Sequence, residues 1–274
     1  MLKVTTWNVN GVRAREAEVL AWVTRERPDV LCLQEVKAAI EQVPPALVEL
    51  PGYWCYWHGK KGYSGVALHL SQSAFPERPP YEHPPFDHET RIVTARAGEV
   101  TFASIYVPNG GKDFAAKVRF LDDLEAFAAQ AERDGITLVL CGDFNVAREP
   151  RDVHEKLRNA DQIGQTQGER AQLERIIGHG LVDLSRKLHP DDDELFTWWA
   201  PWRKHRERNI GWRLDYVLAT ERLASRVRTC EVLREFGTSD HGPVTAVFDI
   251  EPPRVEVASV TGASTPRAGQ LQLF

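Results

Sequence analysis

The residues Ile136-Thr-Leu-Val-Leu-Cys-Gly-Asp-Phe-Asn-Val-Ala147 constrain this chain more than any other stretch. An apolar and β-branched run leads into Gly142 and then presents Asp143 and Asn145 two positions apart. The run predicts a buried strand, with Gly142 giving the backbone freedom to turn at its end. In extended backbone, residues i and i+2 project from one face, so Asp143 and Asn145 are expected to point together into one cleft. A carboxylate beside an amide is poor core material. It is good material for holding a water or a phosphate oxygen. The alternative is an Asx turn closing the strand, and an isolated Asp-Phe-Asn would be read that way.

Three other stretches repeat the layout, which favours the cleft. Leu2 to Gly11 is a β-rich run ending in Asn8 and Asn10, again two apart. Pro28 to Lys37 is an apolar run that delivers Gln34, Glu35 and Lys37. Gly237 to Pro243 puts Asp240 and His241 in a turn just before an expected strand from Val244 to Ile250. Strand ends carrying Asn, Glu, Asp and Asp-His are what a divalent-metal phosphoesterase needs. Hard oxygen ligands suit Mg²⁺, and a histidine can contact the scissile phosphate. Lys37 either holds the carboxylates together or is a solvated lysine.

At 274 residues, with 42% hydrophobic and 27% charged residues, the chain suits one large α/β domain of a soluble protein. No window approaches the roughly 18 uncharged apolar residues of a membrane span, and with a strand expected from Leu2 no signal peptide is expected. Cys32, Cys55, Cys141 and Cys230 are scattered without a Cys-x-x-Cys pair, so reduced core cysteines in a cytoplasmic protein are expected. A formal net charge of −5 argues against a globally basic nucleic-acid binder but leaves a local basic surface open.

Along the chain, Arg13 to Arg27 has helical character with Leu20 and Val23 on one side, ended by Pro28. His58 to Gly65 is a glycine-rich basic turn containing Lys60 and Lys61. Phe75 to Phe86 is proline-rich and expected to be an irregular loop. Val100 to Val107 alternates as a strand ending at Tyr106, with Pro108 and Asn109 after it. Asp113 to Arg133 is the strongest helix, with Phe114, Val118, Leu121, Leu124 and Phe127 as its apolar stripe. A polar loop (148–167) and a short amphipathic helix from Glu169 to Ile177 follow. Phe196 to Arg213 interleaves four tryptophans with five cationic residues and His205. Such a mixture suits a surface that stacks on bases or sugars while neutralising phosphates, or else a tryptophan-rich core edge with a solvated basic loop. Asp215 either pairs with Arg213 or orients His241; the Asp-His pair at a strand start favours the second.

Trp7 to Gly11, Leu33 to Glu35, Tyr106 to Asn109, Gly142 to Asn145, Asn209 to Asp215 and Ser239 to His241 together resemble the signature blocks of the exonuclease III family of apurinic/apyrimidinic endonucleases. This family lies within the endonuclease/exonuclease/phosphatase superfamily, and the likeness covers roughly residues 1 to 250. The resemblance implies an α/β fold, a four-layer α-β-β-α sandwich of two mixed sheets with catalytic loops at one rim. It implies a DNA repair hydrolase cutting 5′ to abasic sites in duplex DNA, with action on blocked 3′ ends. Mg²⁺ is the implied cofactor, with Mn²⁺ able to substitute. In such a protein Glu35 binds the metal with Asn10 and Asp240 nearby, and Asp143 activates water, held by Asn8 and assisted by Asn145. His241, oriented by Asp215, acts on the phosphate with Tyr106. Trp198, Trp212 and Leu214 line a pocket for a flipped-out abasic sugar. Arg91, Lys112, Trp202 and Arg213 are carried over as substrate contacts, Arg91 from a segment in which Thr90 replaces the family glycine. A monomeric catalytic domain over residues 1–251 is expected.

From Pro252 the sequence becomes rich in small and turn-forming residues and reads as a flexible linker spanning roughly 25 Å. It ends on Gln270-Leu-Gln-Leu-Phe274. This resembles the peptide that bacterial proteins insert into the DNA polymerase sliding clamp, with Gln270, Leu271, Leu273 and Phe274 as its contacts; the alternative is a tail folded back on its own domain.

Overall fold

Two six-stranded sheets stack face to face in the computed structural model, which describes residues 1–60 and 62–254. In chain order the elements are β1 (Leu2–Asn8), α1 (Glu16–Glu26), β2 (Val30–Gln34), α2 (Pro45–Val48), β3 (Tyr53–Lys60), β4 (Tyr63–Ser71), β5 (Tyr81–Glu82), β6 (Ile92–Ala97) and β7 (Val100–Tyr106). There follow α3 (Phe114–Arg133), β8 (Thr137–Asp143), α4 (Gln167–Gly178), β9 (Leu181–Asp183), α5 (Leu184–Leu188), β10 (Asp215–Thr220), α6 (Glu221–Ala224), β11 (Val227–Val232) and β12 (Val244–Phe248). One sheet runs β11-β12-β1-β2-β4-β3 and the other β5-β6-β7-β8-β10-β9. Both are mixed: β1 with β2 and β7 with β8 are parallel, and the remaining neighbours are antiparallel.

Central strands covered on both faces carry continuous apolar runs, and β2 (Val-Leu-Cys-Leu-Gln) is buried throughout. One face of each sheet meets the other: Val4, Cys32 and Leu68 pack in the same cluster as Val93, Phe102, Val139 and Val217. The outer face of the first sheet carries Val19 and Trp22 of α1 and Leu47 of α2. The outer face of the second carries Leu121 and Leu124 of α3 and Leu173 and Ile176 of α4. The expected four-layer sandwich is the observed fold. Among the described residues no helix is long and apolar enough to cross a membrane. All four cysteines are free thiols, three of them buried and Cys55 half-buried.

Element boundaries differ from the sequence reading where tertiary contacts decide. α1 is preceded by a 3-10 turn, Val12–Ala14, and buries Val19 and Trp22, leaving Leu20 and Val23 only partly covered. Arg27 takes the left-handed C-terminal position ahead of Pro28. In α3, with Asp113 accepting from the Ala116 amide as its cap, the buried face is Lys117, Phe120, Leu121, Leu124, Ala128 and Ala131. Phe114, expected on the apolar stripe, is exposed. The proline-rich stretch contains the short strand β5. α4 begins earlier than expected because Thr166 and Glu169 form a capping box. Residues 255–274, which carry most of the expected linker and Gln270, Leu271, Leu273 and Phe274, lie outside the described residues, as does Lys61.

Candidate active site

Sheet register brings the polar strand ends to one rim. Asp143 at the end of β8 lies opposite Asp215 of β10 on one side and Tyr106 of β7 on the other. In the facing sheet, Asn8 of β1 lies opposite Gln34 of β2, and Glu35 follows directly. Side chains opposite one another in a register point to the same face, so Tyr106, Asp143 and Asp215 stand together; Asn8 meets Asp143 from the facing sheet, and Glu35, past the end of β2, reaches Tyr106.

The backbone breaks sharply at these ends. Asn10, Glu35, Lys37 and Asn145 all have positive φ, near 45–51°. Residues held there cost of order 1–3 kcal/mol each and persist where the surroundings over-determine them. Asp143 and Asn145 do converge, but through an Asx turn rather than a continued pleat: Asp143 Oδ1 accepts the Asn145 amide at 2.9 Å. Asn8 does the same for the Asn10 amide at 3.0 Å. The two alternatives weighed from sequence are thus both present, the turn being the means of convergence. Gly142 lies within β8 and does not turn the chain. A Cβ there would sit 1.9 Å from the Ile105 carbonyl oxygen, so glycine is required by the close approach of β7.

Asp143 Oδ2 accepts from Asn8 Nδ2 at 2.9 Å and from Asn145 Nδ2 at 3.3 Å. His241 Nδ1 pairs with Asp215 Oδ2 at 2.8 Å, leaving Nε2 directed at Asp143 Oδ2, 3.9 Å away. Asp215 therefore orients the histidine, while Arg213 pairs elsewhere. The Tyr106 hydroxyl donates to Glu35 Oε1. Asp240 receives Asn10 Nδ2 at 2.8 Å and the Trp198 indole at 3.0 Å, so it aims Asn10 and ties the pocket wall to the acidic cluster.

Burial and mutual charge set the protonation of this group. Removal from water, reinforced by the Asp215 charge and against the pull of His241, pushes the Asp143 carboxyl up to about 7. Burial alone would lower His241; Asp215 first, then Asp143 and Asp240, outweigh it and push the imidazole up to about 10. His241 is thus held as an imidazolium at neutral pH. Burial followed by the Glu35 charge raises the Tyr106 phenol, which stays a hydrogen-bond donor.

The donor chemistry fits a divalent cation at Glu35 and Asn10. Glu35 Oε2 and Asn10 Oδ1 lie 3.2 and 2.6 Å from Lys37 Nζ, so a cationic group already sits on these oxygens. Lys37 thereby holds the cluster together, the first of the two roles open to it. Asp143, Asp215 and His241 lie within 4.8 Å of one another beside Glu35 and Asn10, with the carboxylates as the oxygen donors and the protonated His241 ring as their counter-charge, and the buried Asp215 Oδ1 has no hydrogen-bond partner.

These groups open into a cleft of about 480 Å³ lined also by Asn109, Ile163, Trp198, Trp212 and Leu214. The two indoles meet edge to face at 5.8 Å. Gly164, with φ +89°, lets the Asn145 carbonyl and the Trp212 ring approach to 3.1 and 3.0 Å of where a Cβ would be. Trp202 is 59% exposed, and Lys112 is exposed with its ammonium 5.4 Å from the Tyr63 ring, so both are free to meet a ligand. Arg213 is not. It is fully buried, its guanidinium engaged by Asp152 (2.9 Å) and Asp183 (2.7 Å) and stacked over Tyr216, so it braces the strand ends from within. Arg91 is also buried, bonded to Glu89 and the Tyr63 hydroxyl and lying 5.0 Å from the Tyr106 ring. It supports Tyr106 from behind rather than projecting into the cleft. The basic-aromatic loop is divided likewise: Trp199 is core and Arg206 donates to the Arg234, Phe236 and Ser239 carbonyls.

Several positioning residues went unrecognised in the sequence. Thr197 Oγ1 accepts the Leu214 and Asp215 amides, and Ser239 Oγ donates to the Asn8 carbonyl. Lys117 Nζ, buried behind the site, donates to the Asn145 carbonyl at 2.7 Å and pairs with Glu169 at 2.5 Å. Only Lys117 left a signal, a lysine on the inward phase of an amphipathic helix.

The sequence profile of the endonuclease/exonuclease/phosphatase family matches residues 5–241. The chain belongs to this family. Among relatives in the family, recombination repair protein 1 of Drosophila melanogaster is 35% identical over 255 residues, 91% of this chain, which spans 37% of the fly protein. An exodeoxyribonuclease of Bacillus subtilis is 31% identical across its whole length and 91% of this chain. Two solved structures share the fold. An AP endonuclease from Archaeoglobus fulgidus has a TM-score of 0.78 at 32% identity, and a 3′ phosphatase, NExo, from Neisseria has 0.81 at 30%. Each comparison covers 91% of this chain and 100% of the other. Family enzymes are hydrolases that depend on a divalent metal, in keeping with the donors at the rim.

Proposed function

We propose that this nuclease hydrolyses the phosphodiester 5′ to an abasic site in duplex DNA, with accompanying 3′–5′ exonuclease and 3′-end-cleaning activity. The observation that carries the reading is the meeting, in one cleft, of the Asp143–Asn8 and His241–Asp215 pairs with an apolar slot of Trp198, Trp212 and Leu214. Such a slot admits a baseless deoxyribose and excludes a nucleotide that keeps its base; a missing base also lowers the cost of extrusion.

Asp143 takes a proton from the attacking water, its carboxylate aimed by Asn8 and Asn145. The water oxygen bonds to phosphorus as the bond from phosphorus to the 3′ oxygen breaks, leaving a 3′-hydroxyl and a 5′-deoxyribose phosphate. His241, fixed by Asp215, donates from Nε2 to a non-bridging phosphate oxygen, and Tyr106 holds Glu35 in place beside it. Mg²⁺, replaceable by Mn²⁺ and held by Glu35 and Asn10, would supply Lewis-acid neutralisation of the phosphate charge. Gln270, Leu271, Leu273 and Phe274 are proposed to tether the enzyme to the sliding clamp.

A labelled duplex with one abasic analogue tests the reading. A cut immediately 5′ to the lesion with Mg²⁺, abolished by EDTA, is expected. The fold is equally close to that of the Neisseria 3′ phosphatase, so 3′-phosphate removal without internal cutting would assign the same centre to DNA ends instead. Asp143→Asn should lower turnover by about 10²–10⁴-fold while leaving duplex affinity unchanged in a gel-shift titration. Retained turnover would overturn the assigned base.

A further inference from the structure

A second group of metal-ligating side chains lies apart from the catalytic rim. His58 at the outer edge of one sheet, with His83 and Asp87 in the segment between β5 and β6, bring three donor atoms within 4.8 Å of one another. We propose that these residues form a binding site for a divalent transition ion of the Zn²⁺ type, distinct from the catalytic metal.

Two of the three side chains, Asp87 and His83, are prepared as ligands by bonds on their far sides. Asp87 Oδ1 accepts the Arg91 and Ile92 amides at 2.7 and 3.1 Å, which fixes the carboxylate and leaves Oδ2 facing His58 Nε2. His83 Nδ1 faces the Ile92 carbonyl at 3.3 Å and so carries the ring proton, leaving Nε2 as a lone-pair donor without a protein partner among the described residues. Carbonyl and amide partners of this kind orient metal ligands in known sites.

Two imidazoles with one carboxylate select a borderline ion over Mg²⁺, which demands oxygen. The rings are stacked 3.6 Å apart at 21°. Both edges swing toward Asp87 on binding, since tetrahedral coordination spaces donors about 3.4 Å apart. The proton between His58 and Asp87 passes to water, and the exposed side of His83 leaves the fourth position to solvent. The ion would clamp β3 to the segment that carries Arg91, and through Arg91 to Tyr63 and Tyr106.

The test is a Zn²⁺ titration of the full chain against a chelating indicator, with Co²⁺ absorption as a readout of coordination. One equivalent is expected to bind in the Glu35→Gln/Asp143→Asn background, with tetrahedral Co²⁺ bands, and to weaken at least about 50-fold on His83→Ala. His83 is exposed, so its replacement leaves the fold intact by circular dichroism; His58→Gln provides an independent check. Zn²⁺ should also raise the thermal midpoint of the catalytic-site variant and not that of the same variant carrying His83→Ala. Binding unaffected by either histidine substitution, or abolished in the Glu35→Gln/Asp143→Asn background, would overturn the site.

Discussion

His69 of β4 carries a titratable ring into the middle of a sheet. It is 1% exposed, meets the Trp57 ring at 4.7 Å, and its Nδ1 has no partner. Burial depresses its pKa to about 3. The ring is therefore neutral in the native state, while the unfolded chain takes up a proton below about pH 6.5. Below that value the unfolded state binds more protons, so stability is full at neutral pH and falls as the pH is lowered toward 3. The expected loss from this residue is about 1.4 kcal/mol per pH unit. Urea denaturation of the protein and of His69→Phe at pH 7, 6 and 5 checks it: the stability difference should drift in favour of the variant as pH falls. Parallel profiles would show that the ring does not titrate on unfolding. Thr90 is a second residue-level cost, a β-branched side chain at φ +59° where the resembled family has glycine.

At the scale of elements, α3 and α4 are joined beneath the site by a fully buried ion pair. Lys117 of α3 reaches Glu169 of α4, and Glu169 also accepts the Gly164 and Thr166 amides at 2.8 and 3.2 Å. Lys117 meanwhile holds the Asn145 carbonyl, so the pair fastens two loops that line the cleft. Breaking one side of such a pair strands a buried charge. Lys117→Met should cost about 3–5 kcal/mol in denaturant unfolding, and Lys117→Met with Glu169→Gln should recover part of it. Strict additivity of the two single losses would show that the groups are not coupled. Arg213 with Asp152 and Asp183 performs the same service under β10, and both networks come from side chains that carry charge where an amphipathic pattern asks for none.

For the whole molecule, the three large apolar clusters and the cleft extend, among the described residues, as far as Ile250. The composition changes at Pro252 to the small and turn-forming residues of a linker, so the catalytic body is expected to stand without the last twenty residues. Removal of residues 255–274 should leave the thermal midpoint and turnover on short abasic oligonucleotides unchanged. Removal of residues 270–274 alone should abolish binding to a sliding clamp in surface-capture measurements. Unchanged clamp affinity would end the tethering proposal, and lost turnover on short duplexes would show that the tail belongs to the catalytic body.

The α/β class, the strands whose ends meet at the rim, and the candidate residues Asn8, Glu35, Tyr106, Asp143, Asp215 and His241 that the structure brings together there were all available from the sequence. The positions of Asn8, Glu35, Asp143 and His241 were legible because polar residues beside apolar runs break the hydrophobic pattern, and such breaks are local; Tyr106 and the roles given to these residues rested on the family resemblance. The pairing of Asp215 with His241 instead of Arg213 was favoured by sequence and fixed by the register of β8 against β10. Tertiary structure alone decided that Arg213 and Arg91 are internal braces, that Gly142 serves close packing, and that α3 turns Lys117 inward instead of Phe114. The reason is physical. Whether a cation faces solvent or a buried oxygen depends on partners 28 to 61 positions away, such as the Asp152 carboxylate for Arg213 and the Asn145 carbonyl for Lys117, and no local periodicity encodes them.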